Sequence, residues 1–159
     1  MSGIAASLGS ERCEALPAFH ALTGCDTTSR FGGKGKVSAW SAWHSFEAVT
    51  PALATLCLSP SKEDIAKIFP VLERFVVVLY YRCSQEQHVN SARQKLFAPK
   101  NRDIENLPPT QDALQQHVLR VAYQAGYIWD KLFNQYNTFL LPVILDGCDP
   151  QIQRLGYQG

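Results

Sequence analysis

The chain has 159 residues, of which 46% are apolar and 18% charged, with a net charge of +1. That length suits one domain able to bury a real core. The near-neutral charge excludes a globally basic nucleic-acid field, so any such binding rests on local patches. No apolar run approaches the roughly 20 residues of a membrane span, and the N-terminus lacks the pattern of a secretory signal. Five cysteines without C-x-x-C spacing (Cys13, Cys25, Cys57, Cys83, Cys148) point to reduced thiols rather than a disulfide framework or zinc site. The expected compartment is intracellular, and nuclear if DNA is the partner.

In chain order, residues 1–9 are small and read as a frayed end. Ser10 suits a helix cap, with Glu11 and Glu14 in the first turn. Leu16, Phe19 and Leu22 give a buried stripe, Pro17 marks a start or a kink, and Gly24 sits where a C-terminal cap belongs. His20 reads as a partly buried structural histidine.

Residues 25–35 form a loop of hydroxyl residues, cations and glycines. Gly33, Lys34, Gly35 and Lys36 precede a helix at 36–47. Glycines admit backbone N–H groups close to an anion, and the next helix N-terminus adds partial positive charge. Lysines and Arg30 displace counterions from a phosphate backbone. Thr28 and Ser29 suit turns, and their hydroxyls are suited to donate to phosphate oxygens. In the helix, Val37, Trp40, Trp43 and Phe46 recur every three residues and are expected to face the core.

Thr50-Pro51 opens a short helix. Ser61 and Asp64 form a variant capping box for a long helix through F-V-V-V-L-Y-Y (75–81), which Pro70 is expected to kink or split. That run also suits a buried strand, but the helical period begins upstream of it. A short helix follows at 88–97. Arg93, Lys95, Lys100 and Arg102 make a second basic cluster. Thr110 caps a helix with Leu114, Val118, Val121, Ala125 and Leu132 on one face, and His117 beside it. These elements predict an all-α domain of about five to seven helices over 1–134, with a helix–turns–helix at 11–47. Residues 135–159 are a tail of undecided structure.

Gly24-Cys25-Asp26, six residues, then Gly33-Lys34-Gly35 resembles the G-x-D…G-x-G segment of the structure-specific 5′ nucleases, the flap endonucleases and 5′-3′ exonucleases. The match covers about residues 16–45. A looser resemblance, extending through 89–97 and 107–126, is to animal proteins associated with mobile elements. The nuclease resemblance implies that the segment grips duplex or junction DNA without reading sequence. Arg30, Gly33, Lys34, Gly35 and Lys36, with Thr28 and Ser29, inherit backbone contact. It further implies that Asp26 binds one catalytic Mg²⁺ and that loop carbonyls hold K⁺. Two-metal chemistry needs a clamp on both attacking and leaving oxygens. One aspartate cannot make it, and fifteen residues precede Leu16. The expected reading is therefore the C-terminal part of a nuclease-like protein, inactive alone, working with an upstream nuclease half or partner protein. The alternative is a non-catalytic structural or interaction domain of a degenerate mobile-element protein.

Overall fold

A computed structural model describes residues 9–98, 104–129 and 131. Six α-helices stand among them, with no strand: α1 Ser10–Leu22, α2 Lys36–Ser45, α3 Thr50–Leu56, α4 Lys62–Tyr80, α5 Val89–Phe97 and α6 Gln111–Ala122. The all-α expectation holds. Short 3₁₀ turns occupy Glu47–Val49 and Ile104–Asn106, and a π-helical segment, Tyr123–Ile128, continues α6. The expectations for the tail at 135–159 and, apart from Gly9, for the end at 1–9 fall outside the described residues. No described helix is long and apolar enough to cross a membrane.

The long helix α4 is the centre of the packing. It touches α2, α3, α5 and α6, while α1 lies against α3, α6 and the π segment. Leu72, Phe75, Val76 and Val77 are buried in α4 against Leu22, Trp43, Leu53, Leu56, Leu114 and Val118. The F-V-V-V-L-Y stretch is helical because its apolar positions continue a period begun at Ile65 and Phe69. The capping box is formed: the Asp64 N–H donates to Ser61 Oγ at 3.2 Å and the Ser61 N–H to the Asp64 carboxylate at 3.3 Å. Pro70 sits exposed inside α4 and does not split it.

Several local expectations are corrected. Ser10 is the first helical residue of α1; Gly9 precedes it with no side-chain cap. Pro17 lies within α1 rather than at its start. Thr50 is the first helical residue of α3, with Val49 at the N-cap position, and its hydroxyl accepts from Trp43 Nε1 at 2.8 Å. Val37 is 86% exposed while Trp43 is fully buried. Cys25, Cys57 and Cys83 carry free thiols, whereas Cys13 is disulfide-bonded, against the expected reduced state.

Glu73 is a buried carboxylate in the middle of α4. It accepts from the Val89 N–H at 3.0 Å, from His88 Nδ1 and from the Gln111 side chain. One acid thus closes the N-terminus of α5 and ties it to the start of α6, satisfying donors that burial would leave unpaired. Gly126 meets the backbone of Ser59 so closely that a Cβ would stand 2.7 Å from its nitrogen. Glycine here is a packing requirement.

Candidate nucleic-acid interface at the Gly24–Lys36 loop

The loop leaves α1 at Thr23, its C-cap. Gly24 follows with φ 103° and its N–H donates to the Ala21 carbonyl at 3.3 Å. This matches the expected glycine stop, and a second cause joins it: a Cβ on Gly24 would lie 2.6 Å from Arg30 Cβ and 2.7 Å from its Cα. Glycine therefore lets the two limbs of the loop touch.

Within the loop, Cys25 and Thr28 exchange backbone hydrogen bonds at 3.2 and 3.3 Å. The Thr28 hydroxyl is buried and donates to the Ala21 carbonyl at 2.6 Å. It holds the helix end. Ser29 and Arg30 are exposed, and neither side chain has a partner among the described residues.

Phe31 is the plug of the loop. Its buried ring meets Tyr80 edge-on at 6.4 Å and His117 at 5.4 Å. The Tyr80 hydroxyl donates to the Gly32 carbonyl at 3.0 Å. Burial pushes that phenol up to about 12, so it remains a donor. His117 lies below, its Nε2 donating to the Leu22 carbonyl at 2.8 Å. Gly33, at φ 66°, turns the chain so that the Lys34 N–H reaches the Phe31 carbonyl at 3.1 Å. Lys34 is half-buried, with its ammonium 5.2 Å from the centre of the Tyr80 ring.

Lys36 also binds within the fold. Its ammonium donates to Gly24 O and Thr23 Oγ1, both at 2.8 Å, and to His20 O at 3.1 Å. It therefore closes the C-terminus of α1, where a cation meets the orphan carbonyls and the negative end of the helix dipole. Burial lowers its pKa, opposed by the Cys25 thiol. Three oxygens at the end of α1 are thus held by a tethered cation.

Asp26 is exposed on the turn. Among the described residues no three His, Cys, Asp or Glu side chains gather as a metal site. Asp26 offers one carboxylate, and magnesium completes its near-octahedral shell with waters, further carboxylates or substrate phosphates.

What remains open is the N-terminus of α2. Gly35 is its N-cap, no side chain caps it, and its first turn holds no acid. The first N–H groups of a helix have no intrahelical partner. Gly35 and Lys36, at that end of α2, line a concavity of about 900 Å³ together with Gly24, Asp26, Arg30, Gly33 and Lys34. The structure thus brings Arg30, Gly33, Lys34 and Gly35 around one opening that Asp26, Thr28 and Lys36 also line, with the Thr28 hydroxyl and the Lys36 ammonium bonded to the end of α1.

In the second basic cluster, Arg93 donates to the Pro108 carbonyl at 2.5 Å and Lys95 pairs with Glu86. Both serve the fold. Lys100 and Arg102 lie outside the described residues. Sequence reasoning missed Phe31 and Tyr80 as the clamps of the loop; an aromatic beside a glycine pair was the available signal.

No family model, curated protein or solved structure matches the chain.

Proposed function

We propose that the chain is a DNA-backbone binding module, the C-terminal helical part of a 5′ nuclease-like protein whose catalytic α/β half lies elsewhere. The observation that carries this reading is the N-terminus of α2, with no side-chain cap and no acid in its first turn, at a concavity that Lys34 and the unpaired Arg30 line with Asp26. Helix N–H groups and two cations suit phosphate oxygens and carry no sequence information. A magnesium ion at Asp26 belongs to this reading only with carboxylates from that other half. A potassium ion on carbonyls of the glycine-rich loop belongs to the same reading.

The test is anisotropy of labelled duplex and 5′-flap DNA at two salt concentrations, with and without Mg²⁺. Binding that weakens steeply with salt supports the reading. No binding at low salt overturns it.

A second reading, a non-catalytic structural or interaction domain, draws on a specific observation. Thr28, Phe31 and Lys36 hold the loop in shape without any ligand. Under that reading the loop is rigid and DNA-silent, and the same titration separates the two.

A further inference from the structure

On the far side of the same loop lies a second concavity, of about 390 Å³, between Thr27 and the outer face of α6 with its π segment. Its wall is the ring of Tyr123, which is 58% exposed. That ring stacks with Tyr127 at 5.1 Å and 23°, and the Lys131 ammonium stands 4.2 Å from the Tyr127 centroid. Tyr127 and Lys131 do not line the concavity; they fix the orientation of the ring that does. Thr28, Gln116, Leu119, Arg120 and Gln124 complete the lining, and the side chains of Gln116, Arg120 and Gln124 have no hydrogen-bond or ion-pair partner among the described residues.

These groups have the chemistry of one ligand. An exposed, braced aromatic face stacks a flat base. Two free amides each offer a donor and an acceptor to a base edge. A free guanidinium takes a phosphate. The size lies at the lower end of small-ligand pockets, about 300–1,000 Å³, and no acid lines the concavity to repel a nucleotide. A π-helical turn at this place also agrees with a site, since such turns occur often at functional positions.

We infer that this concavity takes one unpaired nucleobase, stacked on Tyr123, with its phosphate on Arg120. The inference rests on the backbone-binding reading for its context: the loop that meets duplex at Lys34 presents Thr27 to the base on its other side. The ligand is then the single-stranded continuation of a duplex.

The experiment uses a duplex with a single-stranded overhang carrying 2-aminopurine, beside the same duplex with blunt ends and the single strand alone. Quenching of 2-aminopurine by the wild type and by Tyr123→Phe is expected, with loss of quenching in Tyr123→Ala. Affinity for the overhang duplex should fall roughly ten-fold in Tyr123→Ala, with blunt-duplex affinity unchanged. Equal quenching by Tyr123→Ala overturns the inference, as does an equal loss on blunt and overhang DNA. If blunt duplex binds and the overhang adds nothing, the base site alone fails. If the single strand is quenched through Tyr123 while blunt duplex does not bind, the base site stands and the backbone reading fails.

Discussion

The Lys36 ammonium lies 2.8 Å from the carbonyl oxygen of Gly24, twelve residues earlier, and so fastens the start of α2 to the end of α1. The loop between them is closed at its base and open at its tip. Two lysines only two residues apart are thereby placed differently: Lys36 binds the end of α1, and Lys34 lies over the Tyr80 ring, where the proposed backbone contact falls.

That division predicts opposite effects. Lys36→Met removes three donors from the end of α1 and should lower stability by about 1–3 kcal/mol, read as a lower urea midpoint at unchanged m. A midpoint equal to wild type would show that the ammonium does not hold the helix end.

Gly24 faces a harder limit. In Gly24→Ala the new Cβ meets the Arg30 backbone at 2.7 Å, at a φ of 103°. Strain and overpacking together should cost about 2–4 kcal/mol. Gly35→Ala, with nothing within 4 Å of its Cβ, should cost under about 1 kcal/mol. Thermal melts of the pair check this; equal losses would contradict the close approach.

Two histidines give the end of α1 a pH dependence. Burial lowers the pKa of His117, with Arg120 adding to it and the Leu22 carbonyl opposing. Burial also lowers His20, with Lys36 adding and Asp26 opposing. Near pH 6.5 and below, the unfolded chain binds these protons before the folded one does. Their contribution is therefore full above about 6.5 and is lost as pH falls toward the lower folded values. Stability should decline from pH 7 to 5, and His117→Gln should flatten that decline. An unchanged slope in the variant would remove His117 as a cause.

The fold was legible where local chemistry decides it. Ser61 with Asp64 names the start of α4, and the period from Ile65 onward overrides the β-branched run. Val37 was misplaced for a geometric reason. Each three-residue step on an α-helix turns about 60° off the face, so the row from Val37 to Phe46 crosses to the opposite side. Lys36 and Thr28 were recognised by type, but the carbonyls they reach belong to α1 and are brought near only by the fold. Tyr123 drew no notice, since tyrosines four apart also suit an ordinary helix face; only the loop's position turns that face into a concavity.

The most direct test of the backbone grip compares wild type and Lys34→Ala on duplex DNA by anisotropy across a range of salt. The loop's closure through Lys36, Thr28 and Phe31 is intact in that variant. The account predicts weaker binding to every duplex sequence and a salt slope smaller by about one unit. Affinity and slope equal to wild type would place DNA elsewhere and contradict the account.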